Sequence, residues 1–228
     1  MQQLLTLLQI NDSMFPIGSF THSYGLETYV DKGLVNNNET AKKYATNMLK
    51  YSVFYNDAAF LNKAWKICSK RKVWKKIEEL DDLLTALKAP YEIRNASHKL
   101  AIRFLKLALE LKSYPFAQKY LDAIQSNKIN GHYAIAFGIY AQLSGIERED
   151  ALRAFYYNTL NGIVTNCAKI VPISQTVGQK ILFDLKEEIE SLVQKQDDLD
   201  EDMMGLCCIG QEIRCMQHEK LYTRIYIS

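Results

Sequence analysis

The sequence predicts an all-α protein: a single-domain helical bundle of about eight to ten helices over residues 1–228, with an apolar C-terminal tail. Three observations carry that expectation. Ten glycines and four prolines in 228 residues are about half the usual share of roughly 12%, so turns are sparse and elements long. Apolar residues recur at steps of three and four in several long runs, the spacing that gathers them on one side of a helix. Period-two alternation, the mark of a half-buried strand, is too short everywhere except over the last eight residues, where a strand stays open.

Taken in order, the first long helix follows Asn36, Asn37 and Asn38 and carries Tyr44, Met48, Tyr51, Tyr55, Ala58, Leu61 and Trp65 on one face. A second stripe, Leu100, Phe104, Leu107, Ala108 and Leu111, ends near Pro115. Residues 129–146 are the longest uncharged stretch and reach the minimum length of a membrane span. They contain Asn130, His132, Gln142, Ser144 and three glycines, and lack flanking aromatic and basic anchors. A buried core helix is expected there, with no membrane role. The third stripe, Val177, Ile181, Leu185, Ile189 and Val193, reads as one amphipathic helix. Breaks are expected at 16–18, 31–33, 89–90, Pro115, 130–131, Gly145, Gly162 and Pro172. The acidic run 196–202 reads as an exposed loop.

Charge and cysteine usage narrow the function. Twenty-eight basic against 26 acidic residues leave +2, too little for a global field that attracts nucleic acid or anionic lipid. Five cysteines form no C-x-x-C pair, and Gln2 and Gln3 stand where a signal peptide would be basic. Reduced thiols in a cytoplasmic protein are the expectation.

Several clusters invite a chemical reading. Residues 63–76 carry Lys63, Lys66, Lys70, Arg71, Lys72, Lys75 and Lys76 with Trp65 and Trp74 between them. Phosphate neutralisation and base stacking make nucleic-acid binding the alternative function. The acidic residues Glu78, Glu79, Asp81 and Asp82 follow at once and favour a solvated helix face with the tryptophans turned into the core. Gly205 and Gly210 have the spacing of a phosphate-binding loop, but Gln211 and Glu212 stand where Lys and Ser or Thr are needed. The chain alone is therefore expected neither to bind nor to hydrolyse GTP. Cys207, Cys208, Cys215 and His218 suggest a soft metal. Cys208 and Cys215, seven residues apart on one helix, are separated by about 10 Å, too far for one ion with bonds near 2.3 Å. No metal ligands and no catalytic residues are assigned. His22, His98, His132 and His218 form no H-E-x-x-H, and no G-x-S-x-G occurs. His132 beside Gly131 reads as a helix start.

Whole motifs are more specific. Residues 7–27 (LLQINDSMFPIGSFTHSYGLE) resemble the signature of the UreF family of urease accessory proteins, keeping Asp12, Ser13, Pro16, Ile17, Gly18, Phe20, His22, Ser23, Gly25, Leu26 and Glu27. In physical terms Pro16 and Gly18 make a turn, and Ser19 is placed to cap a helix carrying Tyr24 and Glu27. Residues 131–138 (GHYAIAFG) are similar to a second family segment, with Ala134 for its usual proline. Residues 167–179 (CAKIVPISQTVGQ) are similar to a third, with Lys169 keeping the charge of a common arginine without its planar fork. Arg94, Ala96 and Ser97 fit a further short motif, and residues 216–228 (MQHEKLYTRIYIS) follow the family's ending closely.

The resemblance implies an all-α, dimer-forming, non-enzymatic factor for assembling the nickel centre of urease. It would bridge UreD (also called UreH) and the GTPase UreG and modulate GTP-dependent nickel delivery to apo-urease. No cofactor is held stably; nickel passes through the assembled complex. By carry-over, Tyr24, Glu27, Lys169 and Gln175 would face the GTPase. His218, Glu219, Leu221, Tyr222, Arg224 and Tyr226 would form a UreD-facing tail. On physical grounds so apolar a chain end either folds back on its own core or is ordered by a partner.

Overall fold

The computed structural model describes residues 2–18, 22–70, 73–222 and 224–226. The Ser19 cap, Phe20, Arg71 and Lys72 of the basic segment, and Ile227 and Ser228 of the tail lie outside the described residues. Helix α1 (Gln2–Ile10) buries Leu7 and Ile10 and leaves Leu4, Leu5 and Leu8 exposed. After the turn at 16–18 comes the short α2 (Leu26–Asp31). Asn37 then starts α3 (Asn38–Asn47) with a reciprocal capping box to Thr40. The chain continues without a break through a π-helical segment (Met48–Ala58) into α4 (Ala59–Cys68), the long helix expected from the Tyr44-to-Trp65 stripe.

Helices α5 (Trp74–Leu87), α6 (Tyr91–Leu111) and α7 (Pro115–Gln125) follow, the last two starting at or after a proline whose missing N–H is no loss in a first turn. Helix α8 (Tyr133–Leu143) is the core helix, buried at every residue from 134 to 141. Its Gly138 has a packing reason: a Cβ there would meet the Leu61 carbonyl oxygen at 2.6 Å, so α4 and α8 cross backbone against side-chain-free backbone. Around α8 the rings of Phe104, Tyr133, Phe137, Tyr140 and Phe155 pack edge-to-face and tilted with centroids 5.5–5.8 Å apart. One hydrophobic core runs from Leu7 to Val193.

Helix α9 (Arg148–Ile170) passes straight through Gly162, so no break falls there. A single glycine costs a helix about 1 kcal/mol, which the packing of Leu160, Ile163 and Val164 outweighs. The third stripe is two helices, α10 (Gln175–Asp184) and α11 (Lys186–Lys195), parted at Leu185. Leu185 leaves helical geometry while remaining buried, so the apolar period continues across the break and hides it. The acidic run is anchored at its start. Gln196 is buried, accepting from the Tyr156 hydroxyl at 2.9 Å and, through its backbone carbonyl, from Asn62 at 3.1 Å. A 3-10 turn (Glu201–Met203) leads to α12 (Ile209–His218). Among the described residues there is no strand, the tail included, and no helix is long and apolar enough to cross a membrane.

Candidate functional site

The N-terminal motif and the C-terminal tail meet. Tyr24 and Gly25 both take positive φ, 52° and 80°, which turns the chain sharply into α2. A Cβ on Gly25 would meet Cys215 Sγ at 3.0 Å and its backbone nitrogen at 3.1 Å. Glycine therefore lets α12 lie directly on this turn. Polar contacts fix the register: Gln211 donates to the Tyr24 carbonyl, and Thr28 Oγ1 donates to the Arg214 carbonyl at 2.9 Å.

This docking drives the last residue of α12, His218, completely out of solvent between two carboxylates. Nε2 lies 2.7 Å from Glu27 Oε2 on α2, and Nδ1 lies 2.7 Å from Glu92 Oε2 in the first turn of α6. Each ring nitrogen thus has a carboxylate oxygen within hydrogen-bonding distance. Beyond it the chain folds back. Arg224 donates to Glu92 Oε1 at 2.8 Å, and the backbone N–H groups of Ile225 and Tyr226 donate to Glu27 at 2.6 and 3.1 Å. Tyr226 is buried with Lys169 Nζ 5.8 Å above its ring, while Tyr222 is fully exposed and Ile225 is 77% exposed.

The two expected partner-facing groups are thus largely one site. Glu27, Lys169, His218, Arg224 and Tyr226 come together. Tyr24 is tucked beneath α12, where burial raises its hydroxyl pKa above the ordinary tyrosine value. Gln175 is an exposed residue at the start of α10 and takes no part in this network. Glu219 caps α12 and is exposed, and Leu221 is half-buried. Sequence reading missed Glu92 and Gln211. Glu92 stands two residues before Arg94, but no spacing relates it to a histidine 126 residues away.

Beneath the site lies a cavity of about 130 Å³, lined by His22, Tyr24, Tyr133, Asn166, Gln211 and Cys215, with Met48, Ser52, Val53, Asn56 and Asp57 of the π-helical segment forming one wall. The Tyr133 hydroxyl and Asn166 Oδ1 are buried there without a hydrogen-bond partner among the described residues. Burial, with Lys99 and Arg103 adding, lowers the His22 pKa to about 4, and burial pushes the Cys215 thiol up to about 12. Cys207 is exposed and Cys208 sits at the start of α12. Among the described residues no three His, Cys, Asp or Glu side chains gather to hold a metal ion.

The GHY segment and the Arg94-Ala96-Ser97 motif are structural. Asp81, wholly buried, accepts from the Tyr120 hydroxyl at 2.5 Å and from the N–H groups of Asn130 and Gly131 at 3.0 Å. His132 starts α8, its ring held by Thr85 at 2.8 Å and Ser97 at 3.3 Å, and burial lowers its pKa to about 3. The basic segment divides in two. Lys63 pairs with Glu201, and Lys66 lies 2.7 Å from Asp197, which also holds Arg148 at 2.5 Å. Trp65 donates to the Ile146 carbonyl at 3.0 Å. These partners occupy two of the segment's seven cations.

Comparison with known proteins fits this arrangement. The UreF family profile matches residues 35–186, which takes in Glu92 and Lys169 and leaves Glu27 and the tail from His218 outside it. Curated relatives cover those ends. The protein named urease accessory protein UreF of Actinobacillus pleuropneumoniae serotype 5b (strain L20) is 38% identical over the whole of both chains. Its namesake in Haemophilus influenzae (strain PittGG) is 38% identical over 97% of this chain and 94% of the relative. That of Bacillus sp. (strain TB-90) is 32% identical over the full length of both. With more than half of its length matched by the profile and its ends aligned with these relatives, the chain belongs to the UreF family.

Proposed function

We propose that the chain is a non-catalytic maturation factor for urease, acting in the cytoplasm as a single domain and as a homodimer. In this reading it bridges UreD (UreH) and the GTPase UreG, and modulates GTP-dependent delivery of nickel to apo-urease. Nickel is cargo of the assembly, and this chain holds no cofactor of its own. The observation that carries the reading is end-to-end similarity to relatives named urease accessory protein UreF, through the tail motif as well as the core.

The geometry supports a division of labour within the tail site. His218, Arg224 and Tyr226 anchor the tail from below, whereas Glu219, Tyr222 and the half-buried Leu221 face outward to meet UreD. Lys169 and Gln175 are exposed and offer the GTPase direct contacts. Tyr24 and Glu27, being buried, act through the tail and α12 that they hold. Tyrosine is among the side chains that most often dominate an interface.

Co-purification tests the assignment. Tyr222→Ala should release UreD while retaining UreG in the presence of separately supplied UreD complex, and Lys169→Ala with Gln175→Ala should weaken UreG capture. Both variants leave buried groups untouched, so helicity should stay at the wild-type level. Retention of both partners by both variants contradicts the surface assignment. Stoichiometric GTP binding by the isolated chain contradicts the adaptor reading itself.

A further inference from the structure

Lys70 and Lys75, farther along the basic segment, frame a groove that the tail site does not use. Between the end of α4 and the starts of α5 and α7, Cys68, Val73, Trp74, Phe116 and Leu143 line a hollow of about 560 Å³, within the range of about 300–1,000 Å³ that accepts side chains and small ligands. Lys70 and Lys75 stand exposed at its rim, and Lys119 lies over the Trp74 ring at 4.2 Å. Lys75 has its nearest carboxylate, Glu79, at 3.9 Å, and both side chains are largely exposed, a pairing of little strength in water. The hollow therefore has an apolar floor and a cationic rim.

The geometry points to this groove as a docking site for an acidic segment of a partner protein, with one aromatic or aliphatic side chain inserted and flanking carboxylates on Lys70 and Lys75. Two observations favour a peptide over a nucleic acid. Trp74 has one face covered by Lys119 and is packed edge-on to Phe116 with centroids 5.9 Å apart, which removes a platform for base stacking. Glu79 and Asp82 follow on α5 and are exposed, so a continuous phosphate backbone leaving the groove meets like charge, whereas a short peptide stays within it. The chain supplies its own precedent on the neighbouring turns. There Lys63 and Lys66 are engaged by Glu201 and Asp197, with Leu199 between them packed against the core.

A fluorescein-labelled Asp-Glu-Phe-Leu-Asp-Glu peptide, titrated with the full-length protein at low ionic strength, tests this. Saturable binding is expected, weakening as salt rises and lost when the peptide's Phe and Leu are replaced by Ser. The Lys70→Glu, Lys75→Glu double variant should weaken it by about tenfold or more with unchanged helicity; if helicity falls, Lys70→Gln with Lys75→Gln replaces it. Absence of peptide binding, or binding indifferent to these lysines, overturns the proposal. So does equal or tighter binding of a uridine oligomer of about 12 nucleotides, which would reassign the groove to RNA.

Discussion

Glu27 meets three donors at once, His218 Nε2 and the backbone N–H groups of Ile225 and Tyr226, and it is 6% exposed. Removing its carboxylate takes an acceptor from two buried groups, His218 Nε2 and the Tyr226 N–H. Glu27→Ala should therefore cost about 2–3 kcal/mol in denaturant titration and speed amide exchange at Ile225 and Tyr226 far more than in the core. Exchange unchanged at those two amides would show that the tail is held by something else. A second consequence concerns acid. His22 and His132 have folded pKa values lowered to about 4 and about 3 from 6.5. Above pH 6.5 neither state binds a proton and the groups are silent. Below it the unfolded chain takes up protons that the folded chain refuses, so stability falls by about 1.4 kcal/mol per pH unit for each histidine, down to the folded values. Asp81, raised by burial, works the other way at the acid end, one group against two. Stability should accordingly drop between pH 6 and 4 in chemical denaturation, and His132→Gln should flatten that slope. At this scale the sequence was partly legible. Glu27 and His218 stood out within their motifs, but the pairing between them spans 191 residues and only the fold supplies it.

Helices were read well where their apolar period was regular, and misread where burial continues across a backbone change. The Tyr44-to-Trp65 stripe gave one continuous helical run, yet nothing in its period announced the π-helical winding at Met48–Ala58. Leu185 stays buried across a break, and Gly162 is carried by a helix packed on both sides of it. Gly138 is the opposite case, a glycine that the packing requires. Gly138→Ala puts a Cβ 2.6 Å from the Leu61 carbonyl and forces α4 and α8 apart. A loss of about 1–3 kcal/mol is expected, measurable as a lowered denaturation midpoint, while Gly162→Ala, with nothing within 4 Å of its new Cβ, should stabilise. A neutral Gly138→Ala would mean that the two helices are not in backbone contact.

Across the whole molecule the near-balance of 28 basic and 26 acidic residues conceals an arrangement that composition does not disclose. The acidic run 197–202 is laid over Lys63, Lys66 and Arg148, while Lys70 and Lys75 have no comparable partner among the described residues. The two ends of the chain, the most specific parts of the sequence, close on each other around His218. In the maturation-factor account this closure keeps an apolar tail in order until a partner binds its outward face. Urease activity in cells that carry the urease genes but lack this chain is the direct measure of that account. Supplying the full chain should restore activity and supplying residues 1–218 should not, with both forms equally helical and equally abundant. Equal activity with and without the chain would contradict a maturation role, and full activity with residues 1–218 would contradict the part given to the tail.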